Sequence, residues 1–266
     1  MKRLLLSLLP LGLSLLLAGP AWADASRLDR ILATKRLRVC IWPDYYGISY
    51  RNPKTQKLSG IDIDMARDLA QDLGVRLRFV DSSFATLIDD VVTHERCDIA
   101  MFAVAITPER EQKLRFTKPH LASDIYAITT RSNRRIKDWA DIDKPGVVVA
   151  VAKGTYQEGV MRERLKAATL LVTTSPQGRE QAVESGRADV FMTDYPFSRR
   201  MLATTDWARL ISPPSPYHLT YYAYAMKPGD DRWYARVERF VAAVKHDGRL
   251  QAAAHRHKLD PIVVLN

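Results

Sequence analysis

The alternation of short apolar runs with amphipathic stretches constrains the fold of this chain most. Short apolar runs predict strands at residues 38–41, 75–80, 98–103, 125–129, 147–151, 170–173, 190–192 and 222–226. Stretches with apolar residues at helical spacing predict helices at residues 61–73, 84–93, 156–166, 177–185, 196–203 and 233–245. Alternation of this kind indicates an α/β protein with mostly parallel sheets flanked by helices.

The alternation of strands and helices is interrupted near residues 123–136 and again at Pro213-Pro214-Ser215-Pro216. The last strand and the helices after it need a sheet to pack on. The simplest path therefore leaves one lobe near residue 122 and returns to it near 219. We predict lobe 1 from residues 24–121 and 219–266, and an inserted lobe 2 from residues 122–218. Two segments would then cross between the lobes, which is the geometry of a hinge beside a cleft.

The first 23 residues have the plan of a secretory signal peptide. Lys2 and Arg3 precede an interrupted leucine-rich run. Small residues then precede an expected signal-peptidase cleavage site after Ala23. A membrane-spanning helix needs about 20 apolar residues, and this run is shorter. We therefore predict a periplasmic protein. The formal charge of +10 falls to +8 without Lys2 and Arg3. Because an exported protein rarely meets nucleic acid, we interpret this charge as a solvated surface and expect no nucleic-acid partner.

Two cysteines, Cys40 and Cys97, lie at the edges of predicted strands. Export permits a disulfide between them. A pair does not make a disulfide framework, however, so we favour two buried apolar thiols.

Several short motifs occur in an order that resembles the bacterial extracellular solute-binding proteins of family 3, which are receptors for polar amino acids. The most specific motif is Gly60-Ile61-Asp62-Ile63-Asp64, which opens an amphipathic helix. The others are Leu37-Arg38-Val39, Asp98-Ile99-Ala100 before Ile106-Thr107-Pro108-Glu109-Arg110, Phe116-Thr117-Lys118-Pro119, Gly154-Thr155-Tyr156-Gln157-Glu158, Gly186-Arg187-Ala188-Asp189-Val190 with Asp194, and His246-Asp247-Gly248-Arg249-Leu250. Each motif alone is weak, whereas seven in order are specific and span nearly the whole mature chain.

The resemblance implies a two-lobed fold of the type II periplasmic binding proteins, with the ligand in the cleft between the lobes. It implies a receptor that captures an amino acid or a similar small carboxylate for an inner-membrane ABC permease. We therefore expect a monomer without a cofactor, a bound metal or catalytic residues. His255 and His257, two positions apart on a helix, point in different directions and favour no metal site.

Arg110 is the expected partner of the ligand carboxylate. Thr107 and Pro108 are typical of a helix start, where free N–H groups favour an anion. The planar guanidinium of Arg110 fits a carboxylate two oxygens at a time, and the matching arginine of the family grips the ligand α-carboxylate. A surface arginine paired with Glu109 or Glu111 is the alternative. Thr155 and Glu158 predict a capping box. The resemblance implies that backbone N–H groups of this loop bind the same carboxylate.

Asp194 follows a predicted strand and precedes a helix that begins near Pro196. It is therefore a candidate N-cap, and the matching family residue receives the ligand ammonium. The family also places rings around the ligand at positions that match Tyr45 and Phe84, with Trp42 nearby. The remaining candidate pocket residues are departures from the family pattern: Ala103, Ala105 and Tyr156. They predict a more apolar and more crowded pocket than is usual in the family.

Two other functions use the same fold. The first is a cyclohexadienyl dehydratase, an enzyme that removes water and carbon dioxide from prephenate or arogenate; residues 26–32 and Thr193-Asp194 resemble that subgroup. Its reaction needs a general acid. The subgroup's carboxylate aligns with Phe197, whose side chain cannot donate a proton. The second alternative is a ligand-sensing or accessory subunit, for which the sequence holds no motif.

Overall fold

The computed structural model describes residues 26–175 and 177–266, so the predicted signal peptide lies outside the described residues. The helices are α1 (Arg27–Thr34), α2 (Ile61–Leu73), α3 (Pro108–Glu111), α4 (Tyr156–Arg164), α5 (Gly178–Glu184), α6 (Tyr195–Thr204), α7 (Asp231–His246) and α8 (Arg249–His257). The strands are β1 (Arg36–Ile41), β2 (Asp44–Tyr45), β3 (Ser49–Arg51), β4 (Leu58–Ser59), β5 (Arg76–Asp81), β6 (Ile99–Ala105), β7 (Arg115–Phe116), β8 (Leu121–Ser123), β9 (Tyr126–Thr130), β10 (Val148–Ala152), β11 (Thr169–Thr173), β12 (Val190–Thr193), β13 (Ala208–Ile211) and β14 (Thr220–Met226). Every strand predicted from the sequence is present, within a few residues of its expected ends.

Two sheets organise the chain, and both are mixed. In the six-stranded sheet, β1 lies between its parallel neighbours β5 and β6, and β14 runs antiparallel to β6, β7 and β8. In the five-stranded sheet, β10 lies between parallel β11 and β12, and β9 runs antiparallel to β12 and β13. In each sheet, three parallel strands are therefore followed by antiparallel strands toward one edge. A small sheet of β2, β3 and β4 follows β1.

Helices cover each sheet because one face of each helix is apolar. Helix α2 buries Met65, Leu69 and Leu73 at the expected spacing, and it ends at Gly74 in the left-handed conformation. Helices α1 and α2 pack on the six-stranded sheet, and α7 and α8 pack against α1, α2 and each other, whereas α4, α5 and α6 pack on the five-stranded sheet. In the part of the chain that the structure describes, no helix is long and apolar enough to cross a membrane.

Two chain segments connect the sheets, one between β8 and β9 and the other between β13 and β14. The Asp124 carboxylate, on the first segment, accepts hydrogen bonds from the backbone N–H groups of Tyr217 (2.8 Å) and His218 (2.7 Å) on the second. Both connections are therefore held side by side. The lobe boundaries proposed from the sequence stay a prediction.

Cys40 and Cys97 form a disulfide, so the preference for two free thiols was wrong. Strands β1 and β6 are neighbours, and Cys97 lies just before β6. This pairing places the two Cα atoms 5.5 Å apart, a separation that suits a disulfide. The sequence did not reveal that the strands carrying these residues are adjacent.

The helix predicted at residues 84–93 forms only in its second half. Phe84 lies in a turn, and a π-helical turn follows at Asp89–Thr93. The Asp90 carboxylate accepts hydrogen bonds from the hydroxyls of Ser82 (2.6 Å) and Thr86 (2.8 Å). Such local side-chain bonds compete with a regular helix start.

Candidate functional site

A cavity lies between the two main sheets. Its lining residues are Trp42, Tyr45, Phe84, Ala103, Thr155, Tyr156, Gln157, Arg179, Thr193, Asp194 and Phe197. The free space among them, including the part open to solvent, is about 310 Å³. The lining residues come from both sides of the cleft, so the two sides lie close together around this cavity.

Arg110 is buried beside this cavity. As the sequence predicted, Thr107 caps helix α3 by accepting from the Arg110 N–H (3.3 Å), and Pro108 is the first helical residue. The guanidinium donates to the carbonyl oxygen of Ala105 and, across the cleft, to that of Gly154, both at 2.9 Å. Its central carbon lies 5.5 Å from the centre of the Phe84 ring.

The charge of Arg110 has no acidic partner nearby. Burial lowers the pKa of the Arg110 guanidinium to about 10, so it remains protonated at neutral pH. Within the described residues it forms no ion pair with an aspartate or glutamate. A buried cation that contacts only carbonyl oxygens is poorly compensated, and this position suits an anion.

Asp194 is buried on the opposite side of the cleft. It caps helix α6 by accepting from the Phe197 N–H (3.2 Å), as predicted. Its Oδ2 atom also accepts from the Tyr45 hydroxyl and from the Tyr222 hydroxyl (2.9 Å). Burial raises the pKa of Asp194 above its usual value, although these hydrogen bonds oppose the rise. Among the described residues, Asp194 forms no ion pair.

Aromatic side chains close the cavity on the side of the six-stranded sheet. The Trp42 ring lies 5.2 Å from the rings of both Tyr45 and Phe84, between ring centres. The Tyr222 hydroxyl reaches Tyr156 at 3.3 Å as well as Asp194. The cavity therefore combines apolar faces with tyrosine hydroxyls, in agreement with the expected crowding at Tyr156.

The loop before helix α4 makes a close backbone contact across the cleft. Gly154 has a φ of +79°, and a Cβ atom there would lie 2.7 Å from the Cα atom of Ala85. The predicted capping box does not form. The Thr155 hydroxyl donates to the Ala152 carbonyl (2.8 Å), and Glu158 accepts from the Gly154 N–H (2.7 Å) instead of from the N–H of the cap residue. The positive φ of Gly154 turns its N–H toward Glu158, which explains the change of partner.

Gly154→Ala should therefore hold the two sides of the cleft apart. We expect the close arrangement to lose about 1–3 kcal/mol, the usual cost of overpacking, and the radius of gyration from small-angle X-ray scattering to increase. Gly159→Ala on helix α4 is the matched control, since no atom lies within 4 Å of its Cβ position. Equal scattering from the two variants would contradict the contact.

The Asp62 carboxylate supports the cavity wall from behind. It accepts hydrogen bonds from the Ala103 N–H (2.7 Å) and from Nε2 of His120 (3.0 Å). Ala103 has a φ of +49°, a left-handed conformation that is uncommon for alanine. Asp62 therefore gives the signature motif a structural role, because it stabilises the strand end that faces the cavity.

The structure brings most of the predicted site residues together. Trp42, Tyr45, Phe84, Ala103, Thr155, Tyr156 and Asp194 line the cavity. Arg110 and Ala105 are not among the lining residues; they lie beside it and are hydrogen-bonded to each other. The sequence analysis missed Tyr222, Arg179, Thr193 and Gln157 as site residues. Tyr222 could have been suspected, because it begins a predicted strand, but the sequence did not show which face it occupies.

Across the described residues, no group of three or more His, Cys, Asp or Glu side chains could hold a metal ion. His255 and His257 each bind a separate aspartate, Asp260 and Asp64. The chemistry of the site comes from its buried charged side chains, its rings and its backbone groups.

Comparison with known proteins places these features in a family. The model of the bacterial extracellular solute-binding proteins, family 3, matches residues 37–259. A cyclohexadienyl dehydratase of Pseudomonas aeruginosa is 33% identical over 240 residues, which cover 90% of this chain and 88% of that protein. An L-cystine-binding protein of Escherichia coli is 22% identical over 255 residues, covering 96% and 94% of the two chains.

The solved structures agree on the fold. The crystal structure of an ancestral amino acid-binding protein, described as a precursor of cyclohexadienyl dehydratase, superposes with a TM-score of 0.79. It is 29% identical, and the match covers 87% of this chain and 99% of that one. The predicted two-lobed α/β fold is thereby confirmed. The chain belongs to the bacterial extracellular solute-binding proteins of family 3.

Proposed function

We propose that this protein is a periplasmic receptor that captures an amino acid, or a similar small carboxylate, for an inner-membrane ABC importer. One observation supports this most. Arg110 and Asp194 are buried on opposite sides of one cleft, and neither forms an ion pair within the described residues. An amino acid carries the two complementary charges on one small molecule. Because an unpaired buried charge is costly, a zwitterion suits both groups at once.

Each group has a distinct role in this proposal. The guanidinium of Arg110 binds the ligand carboxylate, with help from the backbone N–H groups around Thr155. Asp194 receives the ammonium group. The rings of Trp42, Tyr45 and Phe84 cover the carbon atoms between the charges.

The chain organisation expected from the sequence supports such a cleft. We propose a lobe of residues 24–121 and 219–266 and an inserted lobe of residues 122–218, in a monomer exported by a signal peptide that is cleaved after Ala23. The two connecting segments that Asp124 joins form the hinge of this arrangement. Closure of the hinge brings Arg110 and Asp194 to the two ends of one ligand.

An enzyme is the second candidate, because the cyclohexadienyl dehydratase of P. aeruginosa is similar to most of the chain. The residue at the position of the acid argues against it. Phe197 lines the cavity, and its ring packs against the guanidinium of Arg179, whose central carbon lies 4.2 Å from the ring centre. Asp194 is the one carboxylate among the lining residues, and tyrosine hydroxyls hold it. We therefore propose a binding protein without catalytic residues.

Purified protein should not convert prephenate or arogenate to the aromatic product. Phenylpyruvate and phenylalanine formation, followed by absorbance and chromatography, should equal the rate without protein, because no proton donor stands at residue 197. Phe197→Glu adds the carboxyl group that the dehydratase subgroup has at this position, so it tests whether the cavity could then support the reaction. Turnover by the unchanged protein clearly above the uncatalysed rate would establish the enzyme instead.

A panel of amino acids should identify ligands by a rise in the melting temperature. A ligand at a hundred times its dissociation constant stabilises the folded state by about 2.7 kcal/mol. Decarboxylated and N-acetylated analogues of the best ligand should fail, because each lacks one of the two charges. Binding should also weaken as the pH falls through the raised pKa of Asp194, since protonation removes the charge that holds the ammonium. An analogue without its α-carboxylate that binds equally well would contradict the proposal.

A further inference from the structure

The hydroxyl of Thr193 is a polar group that the proposed zwitterion contacts leave unused. Thr193 ends β12, directly before Asp194, and it lines the cavity. The residue is fully buried, and its Oγ1 atom has no hydrogen-bond partner among the described residues. A buried hydroxyl without a partner is unfavourable. Its position in the cavity wall therefore points to a group on the ligand.

The positive charge of Arg179, which lies in the same cavity wall, is already balanced by an acidic residue. The Arg179 side chain donates from Nε to Glu180 (2.9 Å) and from a terminal nitrogen to the Met192 carbonyl oxygen (3.0 Å). Its guanidinium also packs on the rings of Phe191 and Phe197. Arg179 is thus a fixed part of the wall, and its charge is offset by Glu180.

These surroundings limit the charge and the length of the side chain that the ligand can carry. Asp194 is the one acidic residue among those that line the cavity, and the proposed ammonium contact uses it. No second acid is therefore free in the lining for a cationic side chain. An anionic side chain would lie near Asp194, which repels it, and Arg179 is already paired with Glu180 and offers it no free charge. Tyr156 and Phe197 crowd the lining, which favours a short side chain over a long one.

We propose that Thr193 determines specificity by hydrogen bonding to an uncharged polar group on a short ligand side chain. The ligand class is an amino acid that ends in a hydroxyl or an amide, such as serine, threonine or asparagine. This inference rests on the proposed amino-acid receptor function, because it assigns the side-chain end of the same pocket.

Isothermal titration of serine and alanine against the mature protein and Thr193→Val tests the inference. Serine should bind the unchanged protein about tenfold more tightly than alanine, the effect of one additional hydrogen bond to a buried group. In Thr193→Val, which keeps the shape and removes the hydroxyl, serine should lose this advantage over alanine. Thr193→Ser should retain the preference, and lysine should bind more weakly than alanine.

The outcomes separate this inference from the function on which it rests. Equal losses for serine and alanine in Thr193→Val would show a structural role for Thr193 and overturn the inference. Lysine or aspartate as the tightest ligand would overturn it as well. If alanine binding still depends on Arg110 in those cases, the receptor function stands. If no amino acid binds the unchanged protein, both proposals fail together.

Discussion

Replacing Arg110 with alanine should weaken amino-acid binding by about thirtyfold or more. Truncation of one partner of a buried, hydrogen-bonded charge pair costs about 2–5 kcal/mol, and about 2 kcal/mol corresponds to roughly thirtyfold. Arg110→Lys should also bind poorly, because a point charge cannot hold both carboxylate oxygens in the way that a guanidinium does. Titration calorimetry with the best ligand from the panel measures both effects.

A third variant of the same residue, Arg110→Met, separates binding from folding. Among the described residues, the Arg110 guanidinium contacts only carbonyl oxygens and the Phe84 ring, and the residue is 7% exposed. Because this buried charge lacks an acidic partner, Arg110→Met should not lower the free energy of unfolding, although it removes binding. A residue that mainly stabilised the fold would lower both quantities.

Arg162→Ala provides the control for Arg110. Its guanidinium pairs with Glu158 on the surface of helix α4, with the side chain 59% exposed. Ligand affinity and stability should both stay close to those of the unchanged protein. Unchanged affinity in Arg110→Ala would show that the carboxylate binds elsewhere.

Loss of the disulfide should produce the largest change in stability. The bond joins residues 57 positions apart, and closing a loop of that length stabilises the folded state by about 4 kcal/mol in the chain-entropy model. Urea unfolding of the oxidised and reduced protein should show a lower midpoint after reduction. A Cys40→Ala, Cys97→Ala double variant should resemble the reduced protein.

The double variant also supplies the control for the reducing agent, which should leave its unfolding curve unchanged. Ligand affinity should change little in either form, since neither cysteine lines the cavity. Identical curves for oxidised and reduced wild-type protein would show that the bond contributes nothing to stability.

The strands and most helices could be predicted from the sequence because their patterns are local. The buried face of α2 follows from apolar residues every four positions, and the caps at Thr107 and Asp194 follow from residue type alone. The site candidates came from the resemblance to the family and from these local patterns. The structure places seven of them in one cavity.

The features that were missed depend on contacts between distant segments. The disulfide required the pairing of β1 with β6, which residue types do not reveal. Tyr222 approaches Asp194 only because β14 belongs to the opposite sheet. Gly154 has a positive φ beside Ala85, and this geometry decides which N–H group Glu158 accepts. None of these arrangements has a signal within a single stretch of sequence.

In the proposed receptor, the contact of the Tyr45 hydroxyl with Oδ2 of Asp194 competes with ligand capture. An ammonium group that binds the same oxygen would displace a phenol that the protein itself supplies from the other side of the cleft. The measured affinity is then the difference between two hydrogen-bonded arrangements, so weakening the internal one strengthens capture without any new ligand contact.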